Sequence, residues 1–147
     1  YDPYVDPQQI SRMGARSCSF QELLKQADYV SIHAPATPDN IHLIGQKELE
    51  LMKPTGYLIN TSRGALIDEE ALLDALRKKK IQGAALDVIE HEPIAKDHPF
   101  LTLDNVILTP HAAWYSEESM VALRTSAAQN IVDVLSGAKP KYAVNRL

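Results

Sequence analysis

Tyr57-Leu58-Ile59-Asn60-Thr61-Ser62-Arg63-Gly64 runs from an apolar segment into a polar turn, and the pattern returns downstream at Ala84-Ala85-Leu86-Asp87-Val88. Tyr57 to Asn60 and Ala84 to Val88 predict strands. Between them Asp68 caps a helix with Ala71, Leu72, Ala75 and Leu76 on one side, and Gly83 closes it. Strand, helix and strand in this order form a βαβ crossover, whose two strands run parallel.

Working outward, the alternation continues in both directions. Upstream, Asp6-Pro7 opens a short helix over Gln8 to Met13 that Gly14 ends, and Ser19-Phe20-Gln21-Glu22 has capping-box spacing for a second, to about Ala27. Tyr29-Val30-Ser31-Ile32-His33 predicts a buried strand, Ala34-Pro35-Ala36-Thr37-Pro38 an extended or turning link, and Lys47 to Met52 a short helix. Downstream, Asn105 to Thr109 predicts the last strand. Ser116 caps a long helix with apolar Met120, Val121, Leu123, Ala127, Ile131, Val134 and Leu135, ended by Gly137. The expected fold is α/β: a doubly wound, mainly parallel, Rossmann-like sheet.

Composition sets the class. The 147 residues suit one domain with a single core, and 45% hydrophobic with 23% charged residues is the balance of a globular chain. No apolar run approaches the roughly 20 residues of a membrane-spanning helix. With a net charge of -4 and the only basic cluster, Arg77-Lys78-Lys79-Lys80, at a helix end, no nucleic-acid footprint stands out. The lone Cys18 excludes an internal disulfide and fits a reducing, cytoplasmic setting.

Three motifs sit at consecutive strand ends: Asn60 to Gly64, Leu86 to Pro93, and Thr109-Pro110-His111-Ala112-Ala113-Trp114. Carboxyl ends of parallel strands border the ligand crevice of an open α/β sheet, so a cation, a carboxylate and an imidazole can converge there on a small anion. The phosphate-cradling Gly-x-Gly-x-x-Gly turn of a nucleotide site does not occur, because glycines 14, 45, 56, 64, 83 and 137 never fall two apart. Asp2 reads either as the ribose-binding acid after the second strand of a Rossmann unit, which would repel a 2′-phosphate, or as a simple turn residue.

Together these segments resemble the nucleotide-binding domain of the D-isomer-specific 2-hydroxyacid dehydrogenases, over nearly the whole chain, with similarity to the phosphoglycerate dehydrogenase and C-terminal binding protein branches. His111 to Glu117 is most similar to the latter, which includes corepressors. The resemblance implies a missing first strand and glycine turn, hence an incomplete sheet. The absent strands would lie between a strand near Ala15 to Cys18 and the strand Tyr29 to His33. Residues 1–137 would then be the NAD-binding domain of a longer protein, catalytically incompetent alone, and 138–147, including Val144-Asn145-Arg146-Leu147, a tail returning toward an absent substrate domain.

The chemistry can be assigned residue by residue. Arg63 suits a substrate carboxylate, which a planar guanidinium holds in bidentate fashion. His111 is the candidate general acid/base, with Glu92 orienting it, an assignment that requires a Glu92 oxygen within hydrogen-bond reach of the ring. The resemblance implies that Asp87 meets the nicotinamide carboxamide, that Thr61 and Ser62 lie against its ribose, and that His33, Ala34 and Pro35 border the adenine. It likewise places Arg63, His111, Ala112 and Ala113 at the cofactor and allows Trp114 to line the substrate pocket. A metal at Glu90-His91-Glu92 is not expected, since adjacent strand residues point to opposite faces; His42, His91 and His98 read as surface or loop residues. The expected activity is reversible NAD-dependent hydride transfer between a D-2-hydroxy acid and its 2-keto acid, in a homodimer. The competing reading is an NAD-sensing, corepressor-like binding module.

Overall fold

A computed structural model describes residues 1–143. Its backbone divides into two compact units, Tyr1–His111 and Ala112–Leu147. The tail residues 144–147 lie outside the described residues.

In the first unit, strands β1 (Tyr29–Ile32), β2 (Tyr57–Asn60), β3 (Gly83–Leu86) and β4 (Val106–Leu108) form one parallel sheet in chain order. Alternation along the strands sets its faces. Val30, Ile32, Leu58 and Asn60 are buried, whereas Tyr29, Ser31 and Tyr57 are exposed and the two tyrosine rings stack at 5.4 Å. Val30, Ile32 and Leu58 join a single core with Leu24, Leu49, Leu72, Ala75, Leu76 and Phe100. Each fully buried leucine there contributes roughly 2 kcal/mol of transfer free energy.

The helices begin where their caps predict. Helix α1 (Pro7–Arg12) starts with the Asp6 carboxylate accepting from Gln8 N at 2.7 Å, and Gly14, at φ 84, turns the chain away after it. Helix α2 (Phe20–Gln26) has the reciprocal Ser19–Glu22 box, and the N–H and hydroxyl of Ser19 hold the Glu22 carboxyl below its ordinary range. After α3 (Gln46–Leu51), helix α4 (Glu69–Arg77) is capped by Asp68, which accepts from Ala71 N at 3.0 Å, and buries Leu72, Ala75 and Leu76. β2, α4 and β3 are the expected crossover.

One expected element is not formed. Residues 15–18 pair with no strand among the described residues, and β1 is the edge of the sheet on that side. A strand exists by virtue of its ladder partners, and this segment has none to bond.

The second unit consists mainly of α5 (Glu117–Leu135), whose start is boxed by Ser116 and Ser119. None of its residues is buried, so the core belongs to the first unit alone. Among the described residues no helix is long and apolar enough to cross a membrane.

Candidate active site

Asn60, Leu86 and Leu108 lie side by side on β2, β3 and β4, and the site is built from the three loops that leave this row. Arg63 and His111 each stand three residues beyond it. Parallel pairing in register therefore brings the motifs to one edge of the sheet.

The first loop is folded by a side chain that sequence reasoning left without a role. Asn60 is fully buried; its Oδ1 accepts from Ser62 N at 3.0 Å and its Nδ2 donates to Arg63 O at 2.8 Å. An amide that satisfies both ends of a three-residue turn fixes that turn's shape. The Ser62 hydroxyl donates to Ile32 O at 2.8 Å, tying the turn to β1, and the exposed Arg63 donates through Nη1 to Ser62 O at 2.7 Å. Gly64 then passes so close to the next loop that a Cβ would overlap the Ile89 carbonyl and Glu90 N. Only glycine fits there.

The second loop begins with Asp87, 5% exposed, whose N–H donates to Asn60 O and whose carboxylate accepts from the Thr109 hydroxyl. Further along, Ile89 N donates to Glu92 Oε1 at 3.2 Å and Glu90 N donates to Glu69 Oε1 at 2.6 Å. The Glu92–Pro93 peptide bond is cis. In the third loop His111 adopts φ 53, and its N–H donates to Asp87 O at 2.9 Å. A left-handed conformation is uncommon for a side chain with a Cβ, though histidine tolerates it better than most, and the bond to Asp87 holds it.

These anchors bring His111 Nδ1 to 2.7 Å from Glu92 Oε2, the contact the sequence reading required. The hydrogen bond from His111 and the Ile89 N–H hold the Glu92 carboxyl below the ordinary carboxylate range, against burial and the nearby charge of Asp87. An ionised carboxylate only accepts, so His111 Nδ1 is the donor in this bond. A cavity of about 520 Å³ adjoins the pair, lined by Asp87, Glu92 and His111 together with Ile89, Ile94 and Leu108. That is room for a small organic ligand.

Other expected residues stand elsewhere or have different partners. Asp2 Oδ1 accepts from Tyr4 N and Val5 N at 2.8 and 3.1 Å, a local turn. The exposed His33 bonds Ser31 Oγ at 2.8 Å, and Pro35 O accepts from Asn40 Nδ2. Ala34 is half-buried and Thr61 exposed. Ala112, Ala113 and Trp114 belong to the second unit, where the Trp114 and Tyr115 rings meet edge-on at 5.7 Å. His42 and His98 lie in loops, as expected, and have acidic partners there: His42 Nε2 pairs with Glu90 at 3.0 Å, and His98 Nε2 lies 3.4 Å from Glu69.

Residues 1–113 match the NAD binding domain of the D-isomer specific 2-hydroxyacid dehydrogenases. The chain is 45% identical over 146 residues to D-3-phosphoglycerate dehydrogenase of Methanocaldococcus jannaschii, covering 99% of this chain and 28% of that protein. It is 46% identical over 134 residues to glyoxylate reductase of Aeropyrum pernix, covering 91% of this chain and 40% of the relative. The NAD-complexed D-isomer specific 2-hydroxyacid dehydrogenase of Lactobacillus delbrueckii superposes with a TM-score of 0.87 at 32% identity, over 99% of this chain and 47% of that one. The chain thus spans less than half the length of these relatives. A match over most of the chain, joined to the Glu92–His111 pair at the strand ends, places it in the D-isomer specific 2-hydroxyacid dehydrogenase family through its NAD binding domain.

Proposed function

We propose that this chain forms the cofactor half of an NAD-dependent D-2-hydroxyacid dehydrogenase, a cytoplasmic homodimer that interconverts a D-2-hydroxy acid and its 2-keto acid. The observation that carries this reading is the 2.7 Å bond between His111 Nδ1 and a Glu92 carboxylate whose other oxygen is held by Ile89 N. A ring oriented through Nδ1 presents Nε2 for proton transfer.

The residues at this edge suit the cofactor. Asp87 supplies an acceptor for a carboxamide, and Thr61 and the backbone of its turn supply polar groups for a ribose, while the Ser62 hydroxyl is committed to Ile32 O. NAD, when bound, supplies the acceptor of hydride in oxidation and its donor in reduction. Arg63 holds the substrate carboxylate and polarises the adjacent carbonyl. His111 Nε2 takes the hydroxyl proton in oxidation and returns it in reduction. Glu92 stabilises the imidazolium formed in between, so the base gains strength without free rotation of the ring.

The test is NADH oxidation by the full-length protein with a panel of glyoxylate, hydroxypyruvate, pyruvate and 3-phosphohydroxypyruvate. Turnover with at least one is expected. The exposed Trp114 and Tyr115, 53% and 60% accessible, favour the second reading, a corepressor-like binding module. NADH binding without oxidation by any member of the panel would establish that reading instead.

A further inference from the structure

The loop that carries Glu92 is held from behind by a residue outside the three motifs. Glu69, in the first turn of α4, reaches across to accept Glu90 N–H at 2.6 Å through Oε1, with its side chain only 18% exposed. The preceding amide, Ile89 N–H, donates to Glu92. Two consecutive amides are thus accepted by two different carboxylates, Glu69 on one side and Glu92 on the other. On its remaining contacts, Glu69 Oε2 lies 3.4 Å from His98 Nε2, the Glu90 carboxylate pairs with His42 Nε2 at 3.0 Å, and Gly64 abuts the Ile89–Glu90 peptide.

We propose that Glu69 is a positioning residue for the His111–Glu92 pair: by taking the Glu90 N–H, it fixes the turn that keeps Glu92 on His111. The inference rests on the dehydrogenase reading for its kinetic consequence, and on geometry alone for its structural one. A part-buried N–H that loses its acceptor seeks another. Glu90's own carboxylate is paired with His42, the next acid along the chain is Glu92, two residues on, and a Glu92 that turns to Glu90 N–H leaves His111 Nδ1. The ring then loses the partner that selects its Nδ1–H tautomer. Glutamine at position 69 keeps an oxygen for the N–H; alanine removes it, and aspartate keeps the charge but loses the reach.

The experiment uses the full-length protein with ¹⁵N-labelled histidine, its His111 ring signals assigned by their loss in His111→Gln. The wild type should show the Nδ1–H tautomer. Glu69→Ala should shift His111 to a mixture of tautomers and lower kcat for the keto acid that the panel identifies roughly tenfold, with the KM values for NADH and that keto acid changed by less than about twofold. Glu69→Gln should restore both. Glu69→Asp, which retains an acid at the helix start, should show the same tautomer shift as alanine and serves where alanine impairs folding. A folded Glu69→Ala or Glu69→Asp protein with wild-type His111 signals would overturn the proposal, as would Glu69→Gln being as impaired as alanine. If the wild type reduces no keto acid while the tautomer shift occurs as described, positioning by Glu69 stands and the dehydrogenase reading falls.

Discussion

The two ends of the same parallel sheet carry cavities of similar size, about 520 Å³ at the carboxyl end and 440 Å³ at the amino end, yet their charged side chains are held differently. Around the amino end, charges neutralise one another side chain to side chain: Lys80 with Glu50 and Asp74, Lys78 with Asp74, and Lys53 with Asp28. Such partly exposed pairs gain little, because water screens them and two flexible side chains must be ordered. At the carboxyl end the pairs His111–Glu92, His42–Glu90 and His98–Glu69 are accompanied by bonds that tie polar side chains to the backbone. Asn60 spans a turn, Ser62 bonds the end of β1, and Glu69 and Glu92 take consecutive amides. A site must hold its groups in one geometry, and an ion pair whose carboxylate is also bonded to the backbone, as Glu92 is to Ile89 N, does this where an exposed ion pair alone does not.

That contrast can be broken by substitution. Gly64→Ala should have the largest effect on stability, about 3 kcal/mol in urea denaturation, because a Cβ there overlaps backbone that cannot move aside as a side chain would. A loss below about 1 kcal/mol would show that the two loops are not locked together. Glu92→Gln should cost less and in a pH-dependent way. The folded-state carboxyl is held below its ordinary value, so its stabilisation is present above the ordinary carboxylate range and is lost as pH falls through the lower folded value. The gap between wild type and variant, at most about 1 kcal/mol for a pair this exposed, should therefore be widest near neutral pH and close in acid. A gap that widened on acidification would reverse the assignment. Lys80→Ala, at the other end, should change stability by less than about 0.5 kcal/mol and leave turnover unaltered, as thermal denaturation and steady-state rates would check.

How much of this was legible in the sequence follows from the range of each interaction. The crossover from Tyr57 to Val88 could be read because helical and strand periodicity and the Asp68 cap are local signals. The Glu92–His111 contact could be expected because both residues follow apolar strands. Asn60 stood inside the first motif, but its role needs the backbone to curl back on it. Glu69 was invisible: an acid in the first turn of a helix has a sufficient local reason to be there, and its bond spans 21 residues. The strand expected near Ala15 to Cys18 failed for the converse reason, since a strand depends on a partner that local sequence does not supply.

The central claim, that His111 exchanges the substrate proton, is tested most directly by the turnover of full-length His111→Ala measured beside its NADH affinity. Proton exchange at His111 predicts a rate roughly a thousandfold lower than wild type for the 2-keto acid that the panel identifies, with the NADH dissociation constant within about twofold. Turnover close to wild type at unchanged NADH affinity would contradict it.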